Sequence, residues 1–248
     1  MNDRELRILF RKEWRQLTSS LGTLAPAALM PILMLGVLPQ IMMRIPPPDP
    51  AKIQASRQLQ FGVFGDVGTD PTRVALNFMP LLVAMAGLLA PTVMASYLLI
   101  TERERRTLEL LVALPVRIEQ VIKAKILAVL AVTSAFTVPL LVVDLVMLRV
   151  RVGAPMSELV ALPFLLVSVV AYSTALSLLL GVLSPDFRTA NNLGGALILP
   201  SMILTLAVGF LVPGSLLRTV ALSALYLCGA GLLARSAMRT ATFERLLR

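Results

Sequence analysis

Apolar stretches of about 20 residues recur from one end of this chain to the other, the length a helix needs to cross about 30 Å of hydrocarbon at 1.5 Å per residue. Six are predicted as membrane spans: Leu21–Met43, Val74–Ile100, Ile126–Leu148, Leu159–Leu183, Ala190 to about Val208, and Leu216–Ala234. The run without charge between Arg188 and Arg218 is too long for one span and too short for two. Gly209, Pro213 and Gly214 interrupt its end, so a re-entrant or interfacial segment is expected near Phe210 to Leu217. Residues 1–20 follow a different pattern, with Leu6, Phe10, Trp14 and Leu17 on one helical stripe and Arg4, Arg7, Arg11 and Arg15 on the opposite one. This reads as an amphipathic helix lying on the membrane surface. The long apolar run after Ser20 is expected to be retained as a span, not cleaved as a signal peptide.

The predicted fold class is therefore an all-α membrane protein, with an N-terminal amphipathic helix (1–20) followed by a six-span domain (21–248). Composition agrees: 57% of the 248 residues are hydrophobic and 15% charged, against roughly 25% charged in a soluble domain. The mean hydropathy is +0.83. A net charge of +9 raises the question of nucleic acid, but the Lys and Arg residues lie between apolar runs and form no basic face. Most of the 23 fall in the N-terminal helix, the 101–125 segment and the C-terminal tail. By the positive-inside rule both termini are expected in the cytoplasm, which would make this a multi-pass protein of the plasma (inner) membrane.

Chemistry is narrowed by what is missing. Zero histidines remove the commonest general base and metal ligand together, and Cys228 has no second cysteine to pair with. No catalytic or metal-binding set is expected. None of Lys12, Lys52, Lys123 and Lys125 follows a glycine, so the chain has no phosphate-binding loop of its own. The outer loop holding Pro46, Pro47, Pro48 and Pro50, with Gly62, Gly65 and Gly68, reads as turn-rich connection. No internal repeat and no low-complexity segment is visible.

The most informative stretch lies between the second and third spans. Charges alternate from Glu102 through Arg103, Glu104 and Arg105 to Arg106, as suits a helix leaving the headgroups. Thr107 can cap a new short helix, Glu109 suits its positive end, and Pro115 discourages helix at Leu114. Leu108, Leu111 and Val112 stand at i, i+3 and i+4, so one edge of these two turns is apolar although they lie outside the bilayer. That edge either rests on the chain's own span ends and the lipid interface, or docks on a partner.

The string resembles the motif of type-2 ATP-binding-cassette exporter permeases (ABC-2 type). In that motif an acidic-basic stretch leads into Gly-Thr-Leu-Glu-Leu-Leu, two or three residues, Pro, and a Lys at the next span. Here Thr107, Leu108, Glu109, Leu110, Leu111, Pro115 and Lys123 or Lys125 stand in matching places, with Arg106 where Gly is usual. The resemblance extends over the N-terminal helix, the six spans, the motif, a fifth span centred on Pro200 and the broken Phe210 to Leu217 segment. It implies that residues 102–114 are a coupling helix seated in a separate cassette ATPase subunit. Glu102, Glu104, Thr107, Leu108, Glu109, Leu110, Leu111 and Pro115 would make that contact. The helix carrying Arg7, Arg11 and Trp14 would be the connecting helix. It further implies that ATP and Mg are held by the partner, and that two permease copies or a paralogous pair enclose the path.

Inside the spans, Asp144, Tyr172, Asn191 and Asn192 are candidate pathway residues, with Ser168, Ser173, Ser177, Ser201 and Thr205 near them. Two readings are open. Asp144 marks an ion or substrate path, or it reaches the outer interface or pairs with Arg149 and Arg151. The hydroxyl and amide side chains line a path, or they join helix to helix. The alternative function is a secondary transporter or channel driven by ion gradients, a class that usually shows several intramembrane ionisable groups or paired inverted repeats. A membrane-embedded enzyme is disfavoured by the missing histidines.

Overall fold

The computed structural model describes residues 3–19, 21–44, 71–104, 118–183 and 187–240. Among them the structure is helical with no strand, and six helices are long and apolar enough to cross a membrane. Helix α1 (Asp3–Ser19) precedes the first span, in which α2 (Leu21–Pro31) passes through a π-helical stretch (Ile32–Val37) into α3 (Leu38–Arg44). The remaining spans are α4 (Pro71–Glu104), α5 (Ile118–Met147, with a π-helical end at Leu148–Val152), α6 (Met156–Leu183), α7 (Phe187–Leu211) and α8 (Ser215–Thr240).

Helices α4 and α6 form the centre. Of their apolar windows 72% and 61% are buried, against 22% for both α7 and the first span. Helix α6 packs along most of α4 on one side and α8 on the other. Met79, Val83 and Ala86 of α4, Leu165 and Val169 of α6, and Leu222 of α8 meet in one cluster.

Side-chain polarity is inverted relative to a soluble bundle. Val142, Val143 and Val146 on α5, Phe164 and Val167 on α6, and Leu199, Ile203 and Leu211 on α7 are exposed. Ser168, Thr174 and Ser177 are buried, each donating its hydroxyl to the carbonyl one turn back, at 2.6–2.7 Å. A surface of this kind has lipid, not water, as its solvent. The prolines inside α4, α5, α6 and α7 fit the same setting, because neighbouring helices and hydroxyls can satisfy the freed backbone groups.

The end of the fifth span differs from the sequence expectation. No re-entrant piece forms at Phe210 to Leu217: α7 continues to Leu211, residues 212–214 turn, and α8 starts at Ser215. Pro213 cannot continue the ladder of α7, and Gly214 takes the left-handed conformation (φ 78°) that a side chain would resist. Gly209 is no interruption at all. It is buried within α7, where Leu81 of α4 packs so closely that a Cβ would lie 2.5 Å from its Cδ2. Small residues at such points let membrane helices approach.

Gly209→Val is therefore expected to destabilise the bundle by about 1–3 kcal/mol through overpacking against Leu81. In detergent its thermal midpoint falls, and adding Leu81→Ala restores much of the loss. Gly195→Val, on the same helix with nothing within 4 Å of its Cβ, leaves the midpoint in place.

Candidate functional site

Two regions hold the polar side chains that an apolar bundle would otherwise exclude. The first lies where α1 meets α5. On α1 the apolar stripe packs, at Phe10, Trp14 and Leu17, against α5 and α2. Leu17 is fully buried, and Phe10 and Trp14 pack onto Ala128, Val129 and Val132 of α5, together with Ala27 of α2. The rings of Phe10 and Trp14 lie 6.1 Å apart, centroid to centroid, tilted by 33°. Arg7, Arg11 and Arg15 project from the other side and are exposed.

Within this contact Glu13 accepts from the ammonium of Lys125 at 3.2 Å, with side-chain exposures of 1% and 3%. Its second oxygen lies 3.6 Å from Lys12, which is half exposed and adds little through water. Sequence reasoning missed Glu13. The signal was available, since Phe10, Glu13, Trp14 and Leu17 stand at i, i+3, i+4 and i+7, an acid set inside an apolar stripe. Lys125, singled out as a motif lysine, supplies its counter-charge.

The second region is a hydroxyl cluster between α6, α7 and α8. Tyr172 of α6 and Ser201 of α7 share a hydrogen bond of 2.8 Å, and Thr205 of α7 bonds to Tyr226 of α8. Ser201 and Thr205 also donate back to Leu197 and Ser201 carbonyls, and the two tyrosine rings meet edge to face at 5.1 Å. On α6, Ser173 donates to the Gly87 carbonyl of α4 at 2.9 Å. Tyr172, Ser173, Ser201 and Thr205 thus make contacts between helices, the second of the two readings open from sequence. Tyr226, which the sequence reading passed over, completes them.

Charges at the far end of α5 behave unlike the expectation. Asp144 is fully buried and neither carboxylate oxygen has a hydrogen-bond partner, so it neither reaches an interface nor pairs with an arginine. Arg149 instead donates to the Ala154 carbonyl at 2.9 Å, and both Arg149 and Arg151 are exposed. Glu158, at the start of α6, accepts from Ser215 at 2.5 Å, while its other oxygen is unpartnered. Arg218, which closes the charge-free run of the sequence, is 2% exposed. Its guanidinium donates to the Val212 carbonyl at 3.0 and 3.3 Å and to the Asn77 carbonyl of α4 at 2.5 Å. Part of the reason is local: the turn at 212–214 takes the Val212 carbonyl out of the helical ladder, and an arginine in the first turn of α8 reaches it.

Of the remaining sequence candidates, Glu102 and Glu104 end α4, and Asn191 and Asn192 lie near the start of α7. Thr107, Leu108, Glu109, Leu110, Leu111 and Pro115 lie outside the described residues. Among the described residues no group of His, Cys, Asp and Glu could hold a metal ion.

A family model described as ABC-2 type transporter matches residues 4–240. No curated protein and no solved structure matches the chain.

Asp144→Leu is expected to leave stability unchanged or raise it by about 1–3 kcal/mol, because it removes a buried carboxylate without partners. Unfolding followed by tyrosine and tryptophan fluorescence in detergent checks this, and a clear loss of stability would mean that the carboxylate is engaged. Tyr226→Phe should cost about 0.6 kcal/mol, the average for a polar contact between membrane helices, since Thr205 keeps its bond to the Ser201 carbonyl.

Proposed function

The chain belongs to the ABC-2 type transporter family, as a multi-pass permease component of an ABC transporter, and from this we propose that it is the membrane half of an exporter powered by a separate cassette ATPase. The observation that carries the reading is the family match across 4–240 together with six apolar helices, since between α4 and α5 falls the Glu102–Pro115 string whose residues match the family's coupling motif.

In this reading residues 102–114 seat in the ATPase, with Glu102, Glu104, Thr107, Leu108, Glu109, Leu110 and Leu111 at the contact and Pro115 ending it. Helix α1 is the connecting helix beside it, presenting Arg7 and Arg11 outward. ATP and Mg are bound by the partner, because no lysine here follows a glycine as a phosphate loop requires. Both termini lie in the cytoplasm of a plasma-membrane protein, supported by the concentration of Arg and Lys in α1, the 101–125 segment and the tail. The apolar surfaces of α7 and the first span, each only 22% buried over its window, leave room for a second permease copy or a paralogue as well as lipid. The path runs between such a pair, with Tyr172, Asn191, Asn192 and Asp144 as the side chains to test. One observation favours transport driven by an ion gradient instead, namely the unpartnered carboxylate of Asp144.

A tagged permease purified from its native membrane should bring a cassette ATPase with it. Glu109→Lys should lower the bound ATPase by at least about tenfold while the permease still reaches the membrane. A permease that purifies alone, or retention of the ATPase by Glu109→Lys, would refute the coupling. Transport that survives ATP depletion and stops when the proton gradient is dissipated would support the ion-driven reading.

A further inference from the structure

Helices α1 and α5 meet through stripes that match in spacing and oppose in charge. On α1 the stripe is Phe10, Glu13, Trp14 and Leu17; on α5 it is Lys125, Ala128, Val129 and Val132, each at i, i+3, i+4 and i+7 or its equivalent. Each carries one charge, and the two charges meet at 3.2 Å, almost wholly removed from solvent. Ala124 and Ala128 are fully buried beside Lys125. Their small side chains let α1 approach closely enough for the pair to close.

An apolar stripe alone would let α1 roll or slide along α5, since one hydrophobic register is nearly as good as the next. A desolvated ion pair removes that freedom, because any shift by a turn leaves a charge buried without its counter-charge. The pair also sits at a particular place. Helix α5 begins at Ile118, directly after the 105–117 string in sequence, and Lys125 lies two turns into it.

We propose that Glu13 and Lys125 are positioning residues that lock α1 and the first turns of α5 into one rigid lever. A displacement imposed on residues 102–114 by the ATPase is then delivered to both helices together, and α1 does not act as an independent surface helix. This rests on the permease reading above and assigns the motif lysine its partner.

The test uses the full complex in lipid nanodiscs, on a Cys228→Ser background that frees the chain of its only cysteine. Spin labels at Arg15→Cys and Ser134→Cys, both exposed positions, report the distance from α1 to α5 by double electron–electron resonance. Labels at Arg15→Cys and Arg235→Cys report α1 against α8. With ATP and vanadate the first distance should stay narrow and unchanged while the second shifts. Glu13→Gln or Lys125→Gln should broaden the first distribution and make it nucleotide-dependent. Lys125→Arg should keep it narrow, and the charge swap Glu13→Lys with Lys125→Glu should narrow it again, which a role in folding alone does not require. A nucleotide-dependent distance from α1 to α5 in the unsubstituted pair would overturn the lever, even if the single variants fail to fold. So would a narrow distribution in Glu13→Gln. Failure of the permease reading looks different: no ATPase accompanies the chain and neither distance responds to nucleotide, which removes the lever with it.

Discussion

A polar group inside a bilayer has no water to turn to, and the architecture of this protein follows from that constraint. Its backbone is helical among the described residues, and the buried hydroxyls of Ser168, Ser173 and Ser177 donate to carbonyls on their own or a neighbouring helix. Where the helical ladder is broken, at residues 212–214, a buried arginine takes the place of solvent. Arg218 binds the Val212 carbonyl and reaches across to Asn77, so the same side chain that repairs the turn also ties α8 to α4. A charge in such a position is costly unless every contact is made, which is why it serves a joint and not a surface.

The same constraint sorts the helices. The central pair, α4 and α6, can come close because their contact carries small residues and hydroxyls, as at Gly87 and Ser173. The hydroxyl cluster of Tyr172, Ser201, Thr205 and Tyr226 extends this chemistry to α7 and α8. Helix α7 is otherwise lightly covered, with Leu199, Ile203 and Leu211 turned outward. Among the described residues, the buried side-chain atoms without a hydrogen-bond partner are both oxygens of Asp144 and one of Glu158.

At the opposite end of α5 the constraint is met by pairing. Lys125 and Asp144 are about 28 Å apart along one helix at 1.5 Å per residue, and only the first has a carboxylate or ammonium facing it. The cost of burying Glu13 and Lys125 is offset by their mutual attraction and by the apolar contacts of Trp14 and Leu17 around them.

How much of this was legible beforehand divides along a physical line. The number of spans, the helical class and the family were readable from sequence, because hydrophobic length and a local motif are properties of neighbours along the chain. Even the partner of Lys125 left a trace, as an acid within an apolar stripe. The hydroxyl and glycine positions were visible but their use was not. Gly209 reads as a break until Leu81 is seen against it, and the role of Arg218 is hidden until the Val212 and Asn77 carbonyls are seen beside it. Nor could the sequence say that Asp144 goes unpaired while arginines stand five and seven residues away. Those outcomes depend on which faces of separate helices meet, and only the tertiary structure brings together atoms that are far apart in the chain.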